Sequence, residues 1–88
     1  MISDYKNTSE VLKALAHPVR LRMVEGLIDH ECNVNKIVKA LGIPQSTASQ
    51  HLAILRSKGI VRLRKEGVKT CYRVLDGRIV KLVKVLNG

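Results

Sequence analysis

Tryptophan and phenylalanine are absent from this 88-residue chain, and its only aromatic side chains besides histidine are Tyr5 and Tyr72. The core must therefore come from leucine, isoleucine, valine and alanine, which bury less area per side chain than aromatics do. So short a chain supports a single domain, residues 1–88, and a core this thin gains from being shared, so a homodimer is expected. No apolar run approaches the roughly 20 residues of a membrane helix, and the N-terminus lacks the basic and apolar regions of a signal peptide. A cytoplasmic protein with no membrane partner is expected. The two cysteines, Cys32 and Cys71, stand far apart, and in that compartment they are expected to rest as thiols rather than as a structural disulfide. Acidic residues number seven. There is no glycine-rich phosphate loop and no nucleophile beside a base at a recognisable spacing, so enzymatic activity, a cofactor and a small-molecule ligand are not expected.

What the chain does carry is positive charge, and it is unevenly placed. Sixteen lysines and arginines give a formal net charge of +9. Residues 1–33 hold four of them against five acids, whereas residues 34–75 hold nine against Glu66 alone. A polyanion would have to lie along that second segment.

The same segment contains the most informative pattern, VNKIVKALGIPQSTASQHLAILRSK, from Val34 to Lys58. Val34, Ile37, Val38 and Leu41 recur at helical spacing, as do Ala48, Leu52 and Leu55. Between these stripes, Gly42 suits the left-handed residue that ends a helix, and Pro44 suits the start of the next. This is a helix-turn-helix. Opposite its apolar stripe, the second helix presents Gln45, Ser46, Thr47, Ser49, Gln50 and His51, short hydroxyls and amides able to reach base edges and phosphates in a major groove. Ser46, Thr47, Arg56 and Lys58 are the expected phosphate anchors, and Gln45, Ser49, Gln50 and His51 the expected base readers.

Around this motif the chain divides cleanly. Residues 1–7 are polar and expected to be disordered, with Asn7 or Thr8 capping a helix that carries Val11, Leu12 and Leu15. His17-Pro18 breaks that helix and opens a second, central one with Met23, Val24 and Leu27. Glu31 to Asn33 make a short connection, with room for one short strand and with Asn33 as a cap. After Lys58-Gly59, two alternating runs flank Glu66-Gly67, a β-hairpin whose basic tip holds Arg64, Lys65 and Lys69. A last helix after Asp76-Gly77 carries Ile79, Leu82, Val83 and Leu86. The predicted fold is thus mainly α with a small β-wing: a winged helix-turn-helix of two helices, a short strand, two helices, a hairpin and a closing helix. Val11, Leu12, Leu15, Ile79, Leu82, Val83 and Leu86 on the terminal helices are the expected dimer interface.

Three stretches, LKALAHPVRLRMVEGL, VNKIVKALGIPQSTASQHLAILRSKGIV and RKEGVKTCYRV, resemble the ArsR/SmtB family of small dimeric winged-helix transcriptional repressors, over about residues 8–86. The resemblance implies a homodimer that sits on a palindromic operator in double-stranded DNA and leaves when an inducer is sensed. It implies DNA contact by Gln45, Ser46, Thr47, Ser49, Gln50 and His51, with Arg64, Lys65 and Lys69 on the wing. One family metal site uses a Cys-x-Cys entering the first helix of the motif, where this chain has Asn33 and Asn35, with Cys32 one residue early. Another uses Asp and His pairs on the last helix, which holds no histidine here. No metal site is expected.

Cys32 and Cys71 remain. If the segment before the helix-turn-helix adds as a third strand beside the second wing strand, the two can face each other within disulfide reach. They are either small buried hydrophobes or a thiol switch responding to an oxidant or reactive sulfur. His17, His30 and His51 have no second ligand at helical spacing, and His17 suits a polar junction before Pro18. The function expected is a sequence-specific, homodimeric DNA-binding repressor, open to thiol control. The alternatives are a metal-responsive repressor with an unusual site and a winged-helix protein-interaction module.

Overall fold

The computed structural model describes residues 2–30 and 34–87. Five helices and a two-stranded hairpin follow in the order α1 (Tyr5–Leu15), α2 (Pro18–Asp29), α3 (Val34–Leu41), α4 (Gln45–Ser57), β1 (Arg62–Glu66), β2 (Lys69–Arg73) and α5 (Gly77–Asn87). This is the winged helix-turn-helix that the periodicities predict. The short strand and the Asn33 cap expected at residues 31–33 lie outside the described residues.

Each helix start has a local cause. Asp4, rather than Asn7 or Thr8, caps α1: its Oδ1 accepts from the Asn7 amide at 3.0 Å. Residues 5–7 are therefore helical and not disordered as the polar composition suggests. His17 caps α2, its Nδ1 accepting from the Val19 amide at 3.1 Å, while Pro18 takes the first helical position, where no amide donor is needed. Gly42 ends α3 at φ 67°. Pro44 stands in extended backbone at the cap of α4, one residue before the helix proper.

The exit from α4 sets the wing. Gly59 adopts φ 71°, its amide donates to the Arg56 carbonyl at 3.0 Å, and the Ile60 amide donates to the Leu55 carbonyl at 3.0 Å. This paired closure reverses the chain and drives Ile60 into the core. The hairpin then pairs Leu63 with Tyr72 and Arg64 with Cys71. Its two-residue turn is Gly67-Val68, with Gly67 at φ 63°, one residue later than Glu66-Gly67. Hairpin turns of this length favour a left-handed first residue, which glycine adopts without penalty.

α2 is the central element, packing against α1, α3, α4, α5 and β2. Met23, Val24 and Leu27 are buried there, against Leu52 and Leu55 of α4 and Ile60 and Val61 beyond it. Gly26 lets α3 come close: a β-carbon at that position would stand 3.0 Å from Ile37 Cγ1. The spacing of the helix-turn-helix against the central helix thus depends on a missing side chain.

Candidate nucleic-acid interface

Burial divides α4 into two faces. Ala48, Leu52 and Leu55 are buried on α2, while Gln45, Ser46, Ser49, Gln50 and Arg56 are exposed on the other side. Because i and i+4 share a helix face, Gln45 and Ser49, and likewise Ser46 and Gln50, form adjacent rows of one polar stripe. Ala53 continues that stripe. Thr47 is half-buried at its flank.

His51 stands apart from the stripe. It is half-buried, its ring 4.7 Å from that of His17 at a tilt of 54°, and its Nδ1 lies 3.4 Å from Arg20 Nη1. Arg20 is held in turn, its Nε donating to the Ala14 carbonyl at 2.6 Å. Burial, followed by the neighbouring His17 and Arg20, holds the His51 pKa below the ordinary imidazole value.

Lys58 is engaged as well. Its ammonium lies 3.4 Å from Glu10 Oε2 on α1, and Lys13 approaches the other carboxylate oxygen at 3.6 Å. The Lys58 contact, reinforced by Lys13, holds the Glu10 carboxyl below its usual range. Ser57 is exposed, and its hydroxyl donates back to the Ile54 carbonyl at 2.7 Å.

On the wing, Arg62, Arg64 and Lys65 are exposed, and Val68 stands fully outward at the tip. Lys69 is in β2, but its side chain lies outside what is described. Lys36 and Lys39 are exposed on α3 beside the turn. The charge count includes them, but the sequence assigns them no role; their i, i+3 spacing on the polar face is the signal that marks them.

Cys71 is 2% exposed and disulfide-bonded, where a cytoplasmic compartment argues for a thiol. Compartment is a statement about redox averages and is blind to which sulfurs a fold brings together. Cys32, the only other cysteine in the chain, lies outside the described residues. Among the described residues no cluster of three His, Cys, Asp or Glu side chains is able to hold a metal. No described helix is long and apolar enough to cross a membrane.

The terminal helices enclose an open groove of about 530 Å³ lined by Val11, Leu12, Leu15, Ile79 and Leu82, with Asp4 and Arg78 at its rim. Leu15, Ile79 and Val83 are already buried within the single chain, Val11 and Leu82 are half-buried, and Leu12 and Leu86 are exposed. Tyr5 and Val85 extend the exposed apolar surface beyond the residues named from sequence, at 67% and 76% exposure.

Comparison with known proteins adds to this geometry. Residues 17–62 match the family described as bacterial regulatory protein, arsR family. The transcriptional repressor PagR of Bacillus anthracis is 36% identical over 83 residues, covering 93% of this chain and 83% of the relative. HlyU from Vibrio cholerae superposes with a TM-score of 0.85 at 32% identity, covering 98% of this chain and 94% of that one. A structure of reduced HlyU gives a TM-score of 0.81 at 34% identity, covering 91% and 84%. The homodimeric winged helix-turn-helix DNA-binding domain of a possible ArsR-family regulator from Mycobacterium bovis gives 0.79 at 33% identity, over 99% of this chain and 85% of that one.

Proposed function

We propose that this chain, which belongs to the ArsR family of DNA-binding transcriptional repressors, works as a homodimer that lays α4 of each copy into a major groove of a palindromic operator. The observation that carries this reading is the exposed polar stripe of α4, set opposite Ala48, Leu52 and Leu55 and flanked by a basic wing. Gln45, Ser49 and Gln50 read base edges, because amides and hydroxyls both donate and accept there. Ser46, Thr47 and Arg56 bind phosphates, joined by Arg64, Lys65 and Lys69 of the wing. Lys58 adds to them when it leaves Glu10.

The dimer forms through α1 and α5. Exposed Leu12, Val85 and Leu86 beside the open groove support this arrangement, as does the homodimeric Mycobacterium bovis relative. Two recognition helices related by a twofold axis then reach half-sites one helical turn apart, about 34 to 36 Å.

A second reading concerns release from DNA. The bonded state of Cys71, together with the solved reduced form of HlyU, favours a thiol switch. Cys32 and Cys71 each give up a proton and together two electrons to an oxidant such as a peroxide, which leaves as water while one S–S bond forms. The bond ties the entry of the helix-turn-helix to the wing and lowers affinity for the operator.

Binding measured against salt, with the chain's own upstream region and a random duplex as competitors, tests the primary reading. Gln50→Ala is expected to lose operator preference, whereas Lys65→Ala weakens both duplexes similarly and flattens the salt dependence. Equal losses on operator and random DNA for Gln50→Ala would remove the base-reading role.

A further inference from the structure

We infer that Arg20 and His17 are positioning residues for the recognition helix: they grip His51 from the α1–α2 junction, and the Arg20 contact holds only while His51 Nδ1 accepts. This rests on α4 being the helix that enters the groove. His51 then serves to aim that helix rather than to read bases.

The grip has two arms, and each arm is itself fixed. Arg20 donates through Nε to the Ala14 carbonyl at the end of α1, which leaves Nη1 facing His51 Nδ1 at 3.4 Å. His17 accepts the Val19 amide at Nδ1, which fixes the plane of its ring, and that ring packs against His51 at 4.7 Å. His51 follows Gln50 directly and lies one turn beyond Thr47. A tilt of α4 at His51 therefore displaces the side chains proposed to meet base edges. Errors of this size matter, because a bidentate amide contact tolerates little misalignment.

A proton on His51 undoes the Arg20 arm. A guanidinium only donates, so His51 Nδ1 must be the unprotonated, accepting nitrogen. His17 Nδ1 is likewise committed as an acceptor from the Val19 amide. A proton on His51 Nδ1 sets N–H against N–H and a second cation against Arg20. Among the described residues, His17 and Arg20 are the titratable or charged groups that act on His51, and both disfavour its cation. Acidification is thus expected to loosen α4 even as it adds positive charge, so preference for the operator falls while random binding does not.

The experiment measures operator and random-duplex binding at constant ionic strength between about pH 7.5 and pH 5.5, the range in which imidazoles titrate. The wild-type preference ratio is expected to fall about threefold to tenfold across that range. In the double variant His17→Asn, His51→Asn, the side-chain amides keep acceptors near both Nδ1 positions but do not titrate. Its ratio is expected to lie below wild type at the upper pH, because the ring contact is gone, and to stay at that level at the lower pH, because neither amide titrates. Arg20→Lys, which loses the planar fork, is expected to lower the ratio at both pH values while leaving random binding unchanged. The same pH profile in the asparagine double variant as in wild type would overturn the inference, and so would an unchanged ratio in a folded Arg20→Lys. If circular dichroism shows Arg20→Lys unfolded, the double variant decides alone. Gln50→Ala separates the two levels. Lost preference there with unaffected Arg20 and histidine variants sinks only this inference, whereas retained preference sinks the reading of α4 and this inference with it.

Discussion

Glu10 Oε2 lies 3.4 Å from the Lys58 ammonium, so an acidic side chain of α1 holds a cation at the end of the recognition helix. Lys58 is one of the phosphate anchors expected from sequence, and in the free chain it is already paired with Glu10. A phosphate must compete with Glu10 for it. Glu10→Gln is therefore expected to raise affinity for operator and random duplex alike at low salt, and to steepen the salt dependence by about one counterion. Filter binding across a salt series reads both effects. No change in slope would mean that Lys58 stays away from the phosphates.

Gly26 faces Ile37 across the α2–α3 contact. A methyl group at Gly26 would meet three carbons of Ile37 at 3.0 to 3.3 Å. Gly26→Ala is expected to destabilise the fold by about 1 to 3 kcal/mol through overpacking, despite the better helix propensity of alanine. Adding Ile37→Ala should cost less in the Gly26→Ala background than in wild type, because the larger cavity receives the new methyl. Urea denaturation of the four proteins closes that cycle, and strict additivity would show that the two sites do not touch energetically.

Leu86 and Val85 are exposed on α5 at 67% and 76%. Leu86→Glu is expected to shift the protein toward monomer and to weaken operator binding more than random binding, since one subunit reaches only one half-site. Sedimentation at matched concentration checks the assembly. A stable dimer in this variant would place the interface elsewhere.

Cys71 is bonded and 2% exposed. A reductant should open the bond slowly in the folded protein and quickly in urea, because attack needs a sulfur within reach. Peptide mapping of the oxidised protein is expected to find Cys32 linked to Cys71. Cys71→Ser should bind operator equally with and without peroxide. A wild-type response in that variant would assign any redox sensitivity to other chemistry.

His51 sits below the ordinary imidazole value through burial, followed by the neighbouring His17 and Arg20. The unfolded chain therefore takes up this proton more readily than the folded one. The stability involved is present above about pH 6.5 and drains as pH falls through that value toward the lower folded one. Thermal melts between about pH 7 and pH 5 should show a loss for wild type that is smaller in His51→Asn. Equal losses would trace the acid sensitivity to another group.

Much of this molecule is legible along the chain because its causes are local. The stripes of α3 and α4, the breaks at Gly42 and Gly59 and the alternation in the hairpin all follow from bonds spanning a few residues, as does the inward face of Ala48, Leu52 and Leu55. The hairpin tip is misjudged by one residue, since Glu66-Gly67 and Gly67-Val68 both place a glycine in the turn and only strand register separates them.

The remainder depends on side chains that meet from distant parts of the chain. His51 belongs to the polar face by helical spacing alone, yet Arg20, 31 residues earlier, turns it inward. Lys58 reads as a free cation until the fold brings Glu10 to it. Leu15, Ile79 and Val83 read as an apolar surface seeking a partner, and the fold spends them on its own core while leaving Leu12 and Leu86 outside. Residue order and backbone preference settle that this chain builds two helices and a wing capable of facing DNA. Which of those side chains remain available to it is decided by packing, because hydrogen bonds, ion pairs and burial depend on distance in space and not on separation in sequence.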